Sequence, residues 1–522
     1  LQAMSDWIWS ANLNPEAFPN HLARFLLHTP GVFEQQLNYS TTLIFDLPSF
    51  RNGIQISGFL DRVNRELVIS YIAHRRRAWY TMNHHAILGR LTAIQSGMSE
   101  QDFAAKWANL LDFAAHPDLY SAVETQALHF ATAFATDPKT YTDEQFKALK
   151  ETITIDLTTR YRAEAQWLER IDAGRRARAQ GLSASDCDQD IDDRIRSATD
   201  AVCADPSAEF IDQQVNAAIV ELAFLCLQFT ALSCVFSGLN IPDEEFLGDV
   251  MQSLLPDKVI QRLNELCELG GDGLDGLLPP PVDINLGPIV EGRVIVAPAA
   301  LRKCRLPMIS YEVGYRDRDR GVTVGGIQVG VYGWSFGAHF PGNLPYMLMH
   351  HPELARFEAP YSLPLLFNED EWRNGVQTSG YVSRLLKEIV IQKVYKTNRS
   401  RYGLEHHMMF LYNAVADEFG IWRWPVHNAG DAAAARVKAL KHAEAITLHV
   451  TAPDDAPAGT FSDTERAVLA WTEALMRSPH TAYVREPRVR MALDAANRRE
   501  VTRGDRRLDT SGNVGEDYAF ER

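Results

Sequence analysis

An all-α fold in two related helical units is what this sequence predicts, and three observations predict it. Apolar residues recur three and four apart in LVISYIAHRRRAWYTMNHHAILGRL, DFAAKWANLLDFAA and ERAVLAWTEALM, the spacing of a helix with one buried face. Residues 22–85 align without a gap to 344–407, an offset of 322, with 22 identities in 64 columns. A chance match of that quality is very rare, so duplication is the sound inference. The similarity resumes where Glu124–Pro138 meets Glu465–Pro479, at an offset of 341. A period this long belongs to whole domains rather than to a solenoid.

Composition narrows the class further. The chain has 522 residues, 46% hydrophobic and 23% charged, which suits soluble globular protein and excludes a mainly disordered or collagen-like one. Its net charge of −15 argues against binding nucleic acid or anionic lipid over the general surface. The six cysteines form no CxxC pair, so they read as thiols in a reducing compartment, and a cytoplasmic location is expected. The N-terminal LQAMSDWIW lacks a basic segment before an apolar run, so no signal peptide is expected. The run Ala217–Phe236 is long enough to span a bilayer. It carries Glu221 and Gln228 and lacks basic flanks, so a buried helix is the favoured reading and no membrane partner is expected.

Along the chain, the first helical unit occupies residues 14–245 and the second 335–497. Between them, 246–334 is a linker with the Gly/Pro-rich stretch GDGLDGLLPPPVD at 271–283, and 498–522 is a charged tail. Within the linker, RVIVAPA and GVTVGGIQVGVYGW are expected to pair as a small hairpin. Gly325, Gly326 and Gly330 match no phosphate-loop spacing. Asp186, Asp188 and Asp190 open like a calcium loop, but Ile191 and Ser197 stand where its Gly and Glu belong. Arg51-Asn52-Gly53 with Arg373-Asn374-Gly375, and Ser57-Gly58 with Ser379-Gly380, read as packing or turn positions. His28-Thr29-Pro30 and His350-His351-Pro352 read as helix ends before a turn.

Shared polar residues concentrate in one segment of each copy. They are Glu66, Arg77, Tyr80, His84 and His85, and then Glu388, Arg399, Tyr402, His406 and His407. On a continuous helix the 18 residues from Glu66 to His84 make about five turns. Glu66, Arg77 and His84 would then share a face, with Tyr80 one turn before His84 and His85 about 100° away. A carboxylate, a phenol and imidazoles beside one pocket can move protons near neutral pH, and a guanidinium can anchor an anion. Taken singly, each residue also fits a structural role: an ion pair, a buried aromatic or a helix cap.

With these residues in view, the sequence resembles the alkylhydroperoxidase-D-like, or carboxymuconolactone decarboxylase, superfamily. The pieces that carry the resemblance are HTP and RELVISYIA in copy one, and MHHPELARF and KEIVIQKVY in copy two. They cover about residues 20–245 and 335–490. The resemblance implies two fused helical bundles forming a dimer within one chain. It also implies a proton relay of Glu66, Tyr80 and His85, matched by Glu388, Tyr402 and His407. The two relay cysteines fall on Ala78 and Thr81, and on Ser400 and Gly403. Without a thiolate there, Cys-dependent peroxidase chemistry is rejected.

The expected function is therefore a non-redox decarboxylase, lyase or isomerase acting on a small anionic substrate. Glu66, Tyr80, His84 and His85 with their second-copy partners would do acid–base work, and Arg77 and Arg399 would bind substrate. No cofactor is expected. A divalent metal held by His and Glu, and a non-catalytic binding or scaffold protein, stay open as alternatives, as do a homo-oligomer and activity in one copy only.

Overall fold

Two helix pairs, one in each half of the chain, organise the structure. The computed structural model describes residues 60–159, 208–245, 247–268, 382–418 and 432–477, with shorter pieces elsewhere, and within them the fold is all-α. The helices are α1 (Arg62–Arg76), α2 (Trp79–Gln95), α3 (Glu100–Ala108), α4 (Ala122–Ala135), α5 (Ala208–Gly238), α6 (Leu247–Leu254) and α7 (Asp257–Glu268). In the second half follow α8 (Arg384–Thr397), α9 (Arg401–Glu418), α10 (Ala432–His449) and α11 (Asp463–Arg477).

The two pairs begin and turn alike. Asp61 caps α1 by accepting the Asn64 amide, and Ser383 caps α8 by accepting the Leu386 amide. Arg77 and Arg399 then break the chain with left-handed backbones, φ 50° and 55°. That conformation costs a non-glycine residue about 1–2 kcal/mol, so surrounding packing must hold it. The break folds α2 back on α1 and α9 back on α8. The continuous helix expected from Glu66 to His84 is thus corrected to a helical hairpin, because the αL turn intervenes.

The α1 side chains Leu67, Ile69 and Ile72 are buried, and the helix packs against α2, α4 and α5. Trp107 of α3 lies against α2, where a Cβ on Gly89 would come 2.5 Å from its ring. Only glycine allows that approach. Helix α5 is long and apolar enough, by length and composition, to cross a bilayer. Here Val215, Leu222, Leu225 and Phe229 sit in the core. Two of its buried polar side chains are paired. Gln228 donates to Ser40 Oγ at 2.8 Å, and Glu221 pairs with Arg65 at 2.5 Å.

Several contacts join the halves. Tyr39 and Tyr361, which correspond in the repeat, stack with ring centroids 5.2 Å apart. His351 donates from Nε2 to Glu221 Oε2 at 3.2 Å while its Nδ1 accepts the Leu354 amide. Arg399 pairs with Asp137 at 3.2 Å, and the Cys234 thiol donates to the Leu475 carbonyl.

Among the described residues the two linker runs do not pair with each other. Each makes its own antiparallel hairpin instead, Ile289–Val290 with Arg293–Val294 and Val322–Val324 with Ile327–Val329. Strands only two residues apart in sequence pair with far less loop entropy than distant ones. The turns at 28–30, 51–53 and 373–375, the Ser57-Gly58 and Ser379-Gly380 pairs, the acidic run 186–190, the stretch 271–283 and the tail 498–522 lie outside the described residues.

Candidate functional site

The αL turn brings Glu66 to His85. On a straight helix these residues would stand about 28 Å apart along the axis. In the hairpin His85 Nδ1 donates to Glu66 Oε2 at 2.7 Å. The other carboxylate oxygen accepts from Arg62, Nε at 3.0 Å and Nη2 at 2.5 Å. Glu66 is fully buried. Burial alone would raise its pKa, but Arg62 and His85 outweigh burial and hold the carboxyl below its ordinary value. The same burial lowers Arg62 to about 10, still charged at neutral pH.

The second half repeats this arrangement. His407 Nδ1 donates to Glu388 Oε2 at 2.9 Å, and Arg384 Nη2 pairs with Oε1 at 2.6 Å. The Arg384 guanidinium also lies over the Phe410 ring at 5.3 Å. Glu388 is fully buried. In both halves the carboxylate fixes the proton on Nδ1 and turns Nε2 away from itself. Among the described residues nothing hydrogen-bonds Nε2 of either ring. The His85 and His407 side chains keep 11% and 13% of their surface accessible. A carboxylate-oriented imidazole with Nε2 unspent is built to accept or deliver a proton.

The neighbouring histidines point elsewhere. His84 donates from Nδ1 to the Tyr80 carbonyl at 2.6 Å, and its Nε2 meets Glu244 Oε2 at 2.8 Å. Both ring nitrogens thus face acceptors, so a proton is held between His84 and Glu244. Tyr80 donates to Glu244 Oε1 at 2.8 Å and stacks on His84 at 4.0 Å. Asn83 donates to Asp243 Oδ2 at 2.5 Å, so the segment following α5 is fastened over α2. Tyr80, His84 and Glu244 are all buried. In the second half the Tyr402 ring lies tilted against His406 at 4.1 Å, yet Tyr402 is 38% exposed. Burial holds His406 below its ordinary pKa.

The expected common face of Glu66, Arg77 and His84 is therefore corrected: Glu66 meets His85, and His84 meets Glu244. Arg77 and Arg399 sit in the turns, and Arg399 is engaged with Asp137. Among the described residues no three His, Cys, Asp or Glu side chains converge as a metal-binding group.

Four residues were missed in the sequence. Arg62 and Arg384 were identical in the aligned columns and stood four residues before each Glu, a readable signal. Glu244 lies outside the repeat, so no spacing announced it. Glu358 is buried with its pKa raised to about 7 by burial, against a weaker lowering from the Ser362 hydroxyl that donates to it.

No family model, no curated protein and no solved structure matches the chain.

Proposed function

We propose that the chain is a non-redox acid–base enzyme of the alkylhydroperoxidase-D-like type, two fused helical units acting on a small organic acid. His85 and His407 carry the proton. Glu66 and Glu388 position them, Arg62 keeps the Glu66 carboxylate ionised, and Arg384 pairs with Glu388. The observation that carries this reading is the Arg–Glu–His triad made twice, each time with imidazole Nε2 unspent. The Tyr39–Tyr361 stack supports an arrangement of the halves about a two-fold, since corresponding residues meet there. The buried network of Tyr80, His84 and Glu244 favours a structural part for those residues in the first half.

The test is deuterium exchange into small keto acids and lactone acids in D2O, followed by NMR. Exchange detects proton abstraction even when no net reaction follows. Wild type should catalyse exchange into at least one of them. The His85→Ala/His407→Ala double variant should remain folded and fall to the uncatalysed rate. Equal rates in wild type and double variant would remove the proposal.

A further inference from the structure

The two halves differ beside their triads. Gln392 stands one turn after Glu388 on α8, and its counterpart in the repeat is Ser70. Ser70 is satisfied, because Trp107 Nε1 donates to its hydroxyl at 3.2 Å. Gln392 is fully buried, and among the described residues neither its side-chain oxygen nor its nitrogen has a partner. Leaving such an amide unmet costs roughly 1–3 kcal/mol, and most buried polar groups are paired. An apolar side chain of the same size would avoid that cost.

The place of Gln392 is fixed by its neighbours. Glu388, Gln392 and Tyr395 follow the i, i+4, i+7 stripe of one helical face. Both outer members of the stripe touch His407: Glu388 by the hydrogen bond at 2.9 Å, Tyr395 with ring centroids 5.3 Å apart. Along the helix Gln392 therefore stands between two residues that contact the imidazole. In the first half the same stripe reads Glu66, Ser70 and Ala73, which offers no unspent polar group. There the outer layer is also closed by Glu244 over Tyr80 and His84, whereas Tyr402 is exposed.

We propose that the second half holds a substrate site beside His407 in which the Gln392 amide binds the carbonyl oxygen of a small keto acid. The inference rests on the acid–base reading above and places substrate in the second half. When the carbon next to the carbonyl loses its proton, the C–H bond breaks and the proton passes to His407 Nε2. The electron pair forms the new C=C bond, and the carbonyl oxygen becomes an enolate. The Gln392 NH2 donates more strongly to that oxygen as its charge grows. Reprotonation of carbon from the solvent-exchanged imidazole restores the keto acid.

Levulinate, a stable keto acid, is the probe. Its affinity is measured by calorimetry and its deuterium exchange by NMR, on the full chain. Wild type should bind it. Gln392→Met, nearly isosteric, should stay folded, weaken binding about tenfold, raise the half-saturation of exchange by the same factor and also lower its maximal rate. Gln392→Leu should behave alike, and Ser70→Ala should leave both measurements untouched. Unaltered levulinate affinity in folded Gln392→Met, or no binding by wild type, overturns the site. Binding that depends on Gln392 without any exchange keeps the site and removes the acid–base reading instead.

Discussion

Replacing Glu358 by Gln should make the protein more stable at pH 8 and leave it almost unchanged at pH 4. In the fold this carboxyl is buried, accepts from Ser362 at 2.5 Å, and has its pKa raised from 4.5 to about 7 by burial. Among the described residues its second oxygen has no partner. Below pH 4.5 folded and unfolded chains both hold the proton, and the group adds no pH dependence. Between 4.5 and about 7 the unfolded chain gives the proton up first, so stability falls as pH rises. Above about 7 both states are ionised, and the full cost remains. A rise of this size corresponds to about 3 kcal/mol. Gln is sterically acceptable, since the repeat places Gln36 at the matching position, bonded to Ser40 at 2.7 Å as Glu358 is to Ser362. Urea unfolding of wild type and Glu358→Gln at pH 4, 6 and 8 is the assay. The gap should open between pH 5 and 7 and favour the variant. A gap that is constant with pH, or that favours wild type at pH 8, would refute the reasoning.

Arg384→Met should cost roughly 3–5 kcal/mol by stranding the buried Glu388, and Arg384→Met/Glu388→Leu should recover most of it; urea midpoints decide. Glu244→Ala should cost roughly 1.5–3 kcal/mol by removing the acceptor shared by Tyr80 and His84, and should speed diethylpyrocarbonate labelling of His84 while leaving His407 unaffected, read by peptide mass. Gly403→Thr, which installs the first-half residue, should cost about 1–3 kcal/mol, because a side chain there runs into the Tyr395 ring; thermal unfolding and a shifted His407 ring resonance would show it.

Much of this architecture could be read in the chain before its coordinates. Helical spacing gave the elements, and the 64-column alignment pointed to the paired Glu and His residues. It could not show that Glu66 reaches His85, because the turn at Arg77 carries no glycine or proline to mark it. A positive φ at an arginine is a tertiary outcome, set by the packing of α2 on α1. Arg62 was legible and overlooked: its identity in both copies and its four-residue spacing to Glu66 were present in the columns. Glu244 was not legible, since it comes from beyond the repeat and meets Tyr80 164 positions away. Gln392 was hidden for the opposite reason. A non-identical column looks like drift until burial shows that its amide has no partner among the described residues.

The account depends most on imidazoles whose Nδ1 is tied to a buried carboxylate. Long-range 1H–15N NMR on ring-labelled histidine reads the tautomer of each ring, with His85→Ala and His407→Ala supplying the assignments. Protons on Nδ1 and lone pairs on Nε2 are predicted for neutral His85 and His407. Protons on Nε2 in both rings would contradict the account at its base.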